Sequence, residues 1–158
     1  MKFSVNQKDL QQSLGYCQGV IEKRSTLPIL SNVMLEANGS SLKITATDLD
    51  LIFINKIKNI DIIEEGTTTT SSSIMYDIIR KFSSGKKINL SLSSESKLQL
   101  ESDKSVFHLN CINSSEFPLT DENFNQNEFS LKSKELLKLL NKCKFSVSND
   151  ETRHYLSG

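Results

Sequence analysis

The first regular pattern in the chain is a stripe of apolar residues at helical spacing near the N-terminus. Steps of four, three and four positions separate the apolar residues Leu10, Leu14, Cys17 and Ile21. That spacing places them on one face of an amphipathic helix. The preceding Lys2–Val5 predicts a short strand. Asn6 is of a type that caps helices, with Asp9 three positions later as in a capping box.

The segment after this helix alternates between apolar and polar residues, as strands do. Asn38-Gly39 lies between two such runs and is a strong hairpin signal. The run Leu42–Ala46 alternates strictly, which predicts a half-buried strand. The triplet Asp48-Leu49-Asp50 predicts a reversal before another strand that extends to about Ile57.

The same order of elements then begins again. The threonine-rich run Thr67–Ser72 predicts a strand, and Ser73 is placed to cap a second helix that ends by Gly85. The apolar stripe of that helix consists of Met75, Ile78, Ile79 and Phe82. Three alternating runs predict the strands Lys87–Ser93, Lys97–Glu101 and Val106–Ile112. The pattern therefore predicts an α+β fold in which a βαβββ motif occurs twice.

A longer repeat connects the two ends of the chain. FSVNQKDLQQSLGYC at residues 3–17 and FSLKSKELLKLLNKC at residues 129–143 align without a gap at an offset of 126, and nine identities fall within the 32 aligned residues. The helical stripe is kept in the pairs Leu10/Leu136, Leu14/Leu140 and Cys17/Cys143. The alternative is an accidental likeness between two amphipathic helices. The repeat predicts a domain over 1–125 and the beginning of a second over 126–158, with the polar linker Glu116–Gln126 before the restart.

Composition narrows the class of protein. Nineteen basic and nineteen acidic residues balance, so only a local patch would indicate a nucleic-acid partner. The chain has no apolar run of membrane-spanning length and no secretory signal at its start, which favours the cytoplasm. Cys17, Cys111 and Cys143 form no Cys-x-x-Cys pair and are odd in number, which predicts buried free thiols, with disulfide or metal use as the alternative.

Enzyme chemistry has little support in the sequence. Asp48 and Asp50 would offer oxygen ligands to a divalent cation, yet no further acidic cluster or histidine is placed to complete a site, and both suit a turn. His108 and His154 have no cysteine or serine at a recognisable nucleophile spacing, and no glycine-rich phosphate loop occurs. We therefore expect no catalytic residue, no metal and no cofactor.

Three groups of positive charge are candidates for a nucleic-acid surface. One recurs every four residues on the helix of the C-terminal repeat, one ends the second helix, and one lies in the loop after the first. They are Lys134, Lys138 and Lys142, then Arg80 and Lys81, and finally Lys23 and Arg24. Such side chains bind phosphates without reading sequence. The alternative is a solvated polar face, and cations near a helix C-terminus also interact favourably with its dipole.

Short motifs in order along the chain carry a resemblance to a known family. They are MKFSV, TLPILSNVMLE, ATDLDL, the Asp77–Arg80 helix, the FP of the linker and ETRHYLSG. Each motif is weak alone. In this order and at these spacings they resemble the bacterial DNA polymerase III β subunit, the sliding clamp, over all 158 residues.

The resemblance implies a non-catalytic subunit of the polymerase holoenzyme with the DNA clamp fold. Each domain would carry two helices on one face of antiparallel sheets, and two three-domain subunits would close head to tail into a homodimer ring around duplex DNA. Such a processivity factor would tether the replicative polymerase, the clamp loader and other peptide-motif proteins. This chain would be domain one and the beginning of domain two, not expected to close a ring alone. The alternative is a stand-alone interaction module that does not encircle DNA.

The resemblance also gives the positive charges a role. Arg24 occupies the position that contacts DNA in the family. The other expected DNA-binding residues are Lys23, Arg80, Lys81, Lys134, Lys138 and Lys142. A sliding protein must hold phosphates without reading bases, and these side chains suit that task.

Two further surfaces follow from the resemblance. The edge of the family's peptide pocket would come from Arg153, Tyr155 and Leu156, beside His154, where an aromatic residue is commoner. The ring interface would use Phe107 and Leu109, which would pair outward from the last strand of domain one. Core packing is the alternative for the apolar members of both sets.

The beginning of the second domain lacks the sheet that its helix would cover. We expect one strand, the helix Lys134–Cys143 and the start of another strand, which would leave a leucine-rich face without a partner. That face is therefore expected to pack on a foreign surface, such as a second copy of the chain.

Overall fold

Strands and helices form where the sequence alternates or repeats at helical spacing. The computed structural model describes residues 1–21, 27–94, 97–118, 130–148 and 150–156. The chain divides into two units, Met1–Thr120 and Asp121–Gly158, and each is described by itself.

The first unit contains the predicted βαβββ motif twice. Its helices are α1, Gln7–Cys17, and α2, Ser72–Ile79. Its strands are β1 Lys2–Asn6, β2 Asn32–Asn38, β3 Ser41–Thr47, β4 Ile52–Lys58, β5 Asp61–Glu64, β6 Gly66–Ser71, β7 Lys87–Ser94, β8 Lys97–Ser102 and β9 Ser105–Ile112. Short 3₁₀ segments lie at Pro28–Ser31 and Ser114–Glu116.

The pattern does not predict β5, because a run of four residues with an acidic residue at each end has little strand character of its own. It forms by pairing with β1, where Phe3 lies opposite Ile62. This pairing places β5 at one edge of the sheet.

The sheet is antiparallel throughout, in the order β4-β3-β2-β6-β9-β8-β7-β1-β5. Strand β9 joins its two halves. Only Cys111 and Ile112 pair with β6, whereas Ser105–Asn110 pair with β8. Over Ser105–Asn110 the other edge of β9 therefore has no partner strand among the described residues.

Both predicted turns form. The hairpin at Asn38-Gly39 connects β2 to β3, and Gly39 has a φ of 59°, in the left-handed region that glycine adopts without steric cost. At the predicted reversal, Asp48 Oδ1 accepts hydrogen bonds from the backbone N–H groups of Asp50 at 3.1 Å and Leu51 at 2.7 Å. Asp48 thus has the turn chemistry that the sequence favoured over a metal ligand.

The apolar stripes of both helices enter one core. Leu10, Leu14 and Cys17 of α1 are fully buried, as are Met75 and Ile79 of α2. The helices contact each other and the strands, so they lie together against one face of the sheet. The predicted arrangement of two helices on one face is confirmed.

Helix α2 differs from its prediction at both ends. Ser73 lies inside the helix rather than at its cap, and the helix ends at Ile79, before Gly85. The Ser72 hydroxyl accepts a hydrogen bond from Gln18 Nε2 at 2.8 Å, and the Ser73 hydroxyl donates to Gln18 Oε1 at 3.1 Å. Tertiary hydrogen bonds to Gln18, just after α1, rather than capping, therefore hold these two serines.

The second unit contains α3, Ser133–Cys143, followed by 3₁₀ segments at Lys144–Ser146 and Glu151–Leu156. The strand expected before α3 lies largely outside the described residues, and 130–132 form no strand. The strand expected after α3 is wrong, since that segment is 3₁₀. A strand needs a neighbour to satisfy its backbone N–H and C=O groups, and the described part of this unit contains none.

The three cysteines are free thiols in different surroundings. Cys17 is buried and Cys111 is half-buried, whereas Cys143 is exposed on α3. The prediction of burial is wrong for Cys143 because the apolar face of α3 is itself exposed. Burial raises the pKa of the Cys17 thiol to about 12.

Candidate functional site

Two glutamines, Gln7 at the start of α1 and Gln18 just after its end, bond to α2 at opposite ends of the helix pair. Gln7 is buried, and its Nε2 donates a hydrogen bond to the carbonyl oxygen of Ile79, the last residue of α2, at 3.0 Å. Gln18, just after α1, bonds to Ser72 and Ser73 at the start of α2. The two helices are therefore antiparallel and are fixed to each other at both ends.

Arg80 and Lys81 directly follow the end of α2 that Gln7 holds, and both are exposed. Arg80 Nε lies 3.2 Å from Asp77 Oδ1, with both side chains about half or more exposed. An exposed ion pair contributes at most about 1 kcal/mol, so the guanidinium can exchange this partner for a phosphate at little cost.

The remaining predicted cations belong to other segments. Lys134, Lys138 and Lys142 are exposed along one stripe of α3, in the second unit. Lys23 and Arg24 fall in 22–26, outside the described residues. A DNA-binding role for all of these side chains stays a prediction.

The opposite face of α3 is apolar and exposed. Its leucines, Leu136, Leu137, Leu139 and Leu140, are between 44% and 59% exposed. Phe145, just after the helix, is 89% exposed. The expected leucine-rich face is present, and its packing on a foreign surface stays a prediction.

The predicted edge of a peptide pocket lies in the 3₁₀ segment Glu151–Leu156. Tyr155 and Leu156 are exposed, so the alternative of an ordinary core strand is wrong for them. The Leu156 carbonyl accepts a hydrogen bond from the Ser148 N–H at 2.9 Å. The structure does not describe the side chain of Arg153. A role of Arg153, Tyr155 and Leu156 in a peptide pocket stays a prediction.

The predicted ring interface lies on the open part of β9. Phe107 is 39% exposed, and its ring meets the Phe82 ring edge-on with centroids 5.8 Å apart. Leu109 is only 6% exposed and belongs to the core, so the expectation that it pairs outward is wrong. Residues of one face alternate along a strand, but only Phe107 lies far enough from the core to remain accessible.

A groove that the sequence interpretation did not propose runs along the polar side of the helix pair. Its volume is about 560 Å³. It is lined by Lys8, Gln11, Gln12, Gly15, Tyr16 and Tyr76. The polar face of α1 was visible in the sequence, but the wall supplied by α2 depends on the packing of the helices.

Other classes of site lack support in the part of the chain that the structure describes. No group of three or more His, Cys, Asp or Glu side chains there is arranged to hold a metal ion. No helix among those residues has the length and apolar character needed to cross a membrane.

Known proteins resemble this chain in sequence. A sequence family described as the DNA polymerase III beta subunit, N-terminal domain, matches residues 1–121. The chain belongs to this family. Among curated relatives of the beta subunit, the beta sliding clamp of Caulobacter vibrioides is 34% identical over 160 residues, and that of Escherichia coli K12 is 31% identical over 158 residues.

Solved structures of beta subunits share the fold. The Caulobacter crescentus pol III beta structure matches all of the chain with a TM-score of 0.92 and 34% identity. A Pseudomonas aeruginosa sliding clamp bound to griselimycin covers 99% of the chain with a TM-score of 0.91 and 29% identity. The doubled βαβββ unit is therefore a beta-subunit clamp domain.

The alignments cover only part of the length of each relative. The whole chain aligns, yet it spans 42% of the Caulobacter vibrioides protein and 43% of the Escherichia coli protein. The same holds for the solved structures, of which it covers 42% in both cases above. The chain thus corresponds to an N-terminal portion of these clamps.

Proposed function

We propose that this chain is part of a DNA sliding clamp, the processivity factor of a bacterial replicative DNA polymerase III. Residues 1–125 would be its first domain and 126–158 the beginning of its second. The observation that supports this proposal is the alignment of beta sliding clamps along the entire chain, at 42% of their length. Such a subunit acts by topology, so it has no catalytic residue and needs no cofactor.

Duplex DNA is the proposed ligand of the helical side of the protein. Arg80 and Lys81 at the end of α2, the lysine stripe of α3 and the loop cations Lys23 and Arg24 would contact phosphates. These contacts carry no sequence information, and each releases counterions from the DNA. A protein that slides requires both properties.

Ring closure would use the open edge of β9. An exposed strand edge with Phe107 at 39% exposure favours pairing with another strand. Two subunits joined head to tail would form a homodimer ring. Leu109 would support this edge from the core instead of contacting the partner.

Protein partners would bind elsewhere on the assembled clamp. Arg153, Tyr155 and Leu156 would form the edge of a pocket for short peptides of the replicative polymerase, the clamp loader and other DNA-processing proteins. The exposure of Tyr155 and Leu156 is compatible with such a rim. Replication places this function in the cytoplasm.

The topology of the DNA provides the main test. The test uses the intact protein, that is, the full-length clamp of which this chain is proposed to be part. Loaded onto a nicked circular plasmid by its clamp loader, it should remain bound, and it should dissociate when the plasmid is linearised. Retention that does not depend on circularity would contradict encirclement and favour a stand-alone module of the same fold.

A second test separates phosphate contacts from general charge. In the intact protein, the changes Arg80→Gln and Lys81→Gln should weaken association with all DNA sequences alike. Each lost phosphate contact should reduce the slope of log K against log salt by roughly 0.9. Lys56→Gln and Lys104→Gln, at exposed positions on β4 and in the β8–β9 turn, serve as charge-matched controls. A loss limited to particular base sequences would contradict a sliding surface.

A third test concerns the edge of β9. Phe107→Ala should shift the full-length protein from dimer to monomer in sedimentation while the monomer keeps the circular dichroism spectrum of a folded domain. Leu109→Ala should instead destabilise the domain, because this side chain is in the core. A Phe107→Ala variant that unfolds without dissociating would remove the residue from the interface.

A further inference from the structure

A cleft opens at the end of β9, beside the beginning of β6. Cys111 and Ile112 of β9 pair with β6, and the chain then continues into the 3₁₀ segment Ser114–Glu116. Among the described residues, Thr67 and Thr68 of β6 therefore have a partner strand in β2 but none on the side of β9. The resulting β6–β9 cleft has a volume of about 380 Å³, and its lining includes Thr67, Thr68, Leu92, Cys111, Asn113 and Ser114.

The hydroxyl of Thr68 is a buried polar group without a partner. Thr69 and Thr70, the next residues of β6, donate hydrogen bonds from their hydroxyls to the carbonyl oxygens of Ile112 and Asn110 at 2.7 and 3.0 Å. Thr68 is only 3% exposed and lines the cleft, yet its hydroxyl forms no hydrogen bond with the residues that the structure describes. Buried polar groups are almost always hydrogen-bonded. This hydroxyl is therefore available to a molecule that enters the cleft.

The other polar groups of the cleft are also neutral. Asn113 Oδ1 accepts a hydrogen bond from the Ser115 N–H at 3.0 Å, which directs the amide NH₂ group of Asn113 elsewhere. Thr67 and Ser114 add hydroxyls, and no charged side chain is among the described residues that line the cleft. Hydroxyls both donate and accept, and an amide NH₂ group donates. Such a lining matches the amide and carboxylate groups of a small peptide.

Cys111 supplies the reactive group of this cleft. Its thiol is free and half-buried, and it makes one weak hydrogen bond to the Leu109 carbonyl oxygen at 3.8 Å. Cys17 is buried in the core, and Cys143 is exposed on α3 in the second unit. Reactive thiols are partly exposed, whereas buried ones are inert. Cys111 thus combines access for a reagent with a cleft that can hold it.

We propose that the β6–β9 cleft binds a low-molecular-weight peptide disulfide of the glutathione type, which forms a mixed disulfide with Cys111. The Cys111 thiol loses its proton to solvent, and the thiolate attacks one sulfur of the bound disulfide. A new S–S bond forms with that sulfur while the S–S bond of the ligand breaks, and the second sulfur leaves with the electron pair as a thiolate. Cys111 is oxidised and the ligand is reduced, so the exchange needs no further oxidant.

This site is separate from the surfaces of the proposed function. None of the described residues proposed to contact DNA, to close a ring or to bind peptides is among those that line the cleft. The inference therefore does not depend on the clamp proposal. A mixed disulfide of this kind is reversible, because another thiol can release it.

The test follows the reaction of glutathione disulfide with the native 158-residue chain at pH 8. Acid quenching, alkylation and peptide mass spectrometry give separate rates for Cys111 and Cys143. Binding before reaction should make the rate at Cys111 approach a plateau as the disulfide concentration rises, whereas the rate at the exposed Cys143 should increase linearly. 2-Hydroxyethyl disulfide lacks the peptide groups and should give a linear dependence at both thiols.

Two threonine variants test the cleft itself. Thr68→Val keeps the shape of the side chain and removes the hydroxyl, so it should raise the half-saturating concentration at Cys111 roughly two- to tenfold. The rate at Cys143 should stay unchanged. Thr45→Val is the matched control, because Thr45 is a buried threonine of β3 whose Oγ1 also has no partner among the described residues and which does not line the cleft. Thermal unfolding verifies that each variant is folded.

The pattern of rates decides the proposal. A plateau at Cys111 that shifts in Thr68→Val and not in Thr45→Val supports a binding site at this thiol. A linear dependence at Cys111 that is the same in Thr68→Val would overturn it, because the thiol would then react without a bound complex. Reaction of Cys111 only as the chain unfolds, at the rate of Cys17, would contradict an open cleft. Equal shifts in the two threonine variants would also overturn the proposal, since the Thr68 hydroxyl would have no specific role.

Discussion

The helices α1 and α3 start from nearly the same sequence and have opposite surroundings. Each has eleven residues, ends in cysteine and carries leucines at matching positions. Leu10 and Leu14 of α1 are fully buried, whereas Leu136 and Leu140 of α3 are 44% and 58% exposed. An amphipathic stripe thus determines where a helix forms and which side is apolar. Burial of that side depends on a sheet supplied by distant strands.

The energetic consequences of this contrast are large. A buried leucine contributes roughly 1.5–3 kcal/mol relative to an exposed one. A helix of eleven residues is marginal in water on its own, because nucleation is costly and only packing offsets it. We therefore expect α1 to be a stable part of its unit and α3 to depend on whatever covers its leucines.

The largest difference should appear when equivalent leucines are truncated. Leu14→Ala should lower the free energy of unfolding by about 2–5 kcal/mol, because it leaves a cavity in the core. Leu140→Ala, at the aligned position, should change it by less than about 0.5 kcal/mol. Urea unfolding of the two variants measures both values. Equal losses would show that α3 is buried in solution.

The aligned cysteines provide a second comparison, based on reactivity. The thiolate is the reactive form, and burial both shields Cys17 and raises its pKa to about 12. In a Cys111→Ser background at pH 8, Cys143 should react with a thiol reagent in the native protein. Cys17 should react only as the chain unfolds. Similar rates at both thiols would contradict the burial of α1.

The same pKa predicts a dependence of stability on pH. The folded-state pKa of Cys17 lies above its ordinary value of 9.0, so the folded state holds the thiol proton more tightly. This contribution is complete below pH 9 and is lost as the pH rises towards about 12. The unfolding temperature of Cys17→Ala should therefore fall less between pH 9 and 11 than that of the unaltered chain. An equal fall would assign the pH dependence to other groups.

The smallest expected effect concerns the helix caps. The Asn6 side chain accepts a hydrogen bond from the Lys8 N–H at 2.9 Å, whereas Lys132, at the aligned position of α3, caps nothing. Asn6→Ala should cost about 1 kcal/mol in unfolding free energy. Lys132→Asn should increase the helical circular dichroism signal slightly, and Lys132→Ala is its control. A loss of signal on introducing asparagine would show that the start of α3 does not limit its stability.

Local chemistry explains which parts of the fold the sequence predicts. Asn38-Gly39 and Asp48 determine their turns through backbone freedom and side-chain hydrogen bonds, so both turns appear where expected. The strand β5 depends on pairing with β1. The start of α2 bonds to Gln18 and its end to Gln7, and these partners are also distant in sequence. The spacing of apolar residues within a segment does not indicate which distant residues it contacts.

The residues of the candidate site are likewise of two kinds, those that the sequence predicts and those that it does not. Exposure of Arg80 and the α3 lysines follows from their places on polar faces. The burial of Leu109 does not follow, because alternation gives the face of a strand but not the point at which the core ends. The groove between α1 and α2 depends in part on Gln7. This residue lies three positions before Leu10, on the buried side of α1, but the sequence does not indicate that its side chain bonds to Ile79 of α2.

The place of β1 in the sheet has a consequence for synthesis on the ribosome. The first strand to be made lies between β5 and β7, so its partners are Asp61–Glu64 and Lys87–Ser91. At about 5–20 residues per second, β1 emerges several seconds before β7 exists. During that delay the edge of β1 that pairs with β7 lacks its partner, although β3 and β4, which contact α1, have already been made. The sheet of the first unit is therefore complete only when translation has nearly reached its last strand, and until then the nascent chain carries an unpaired strand edge.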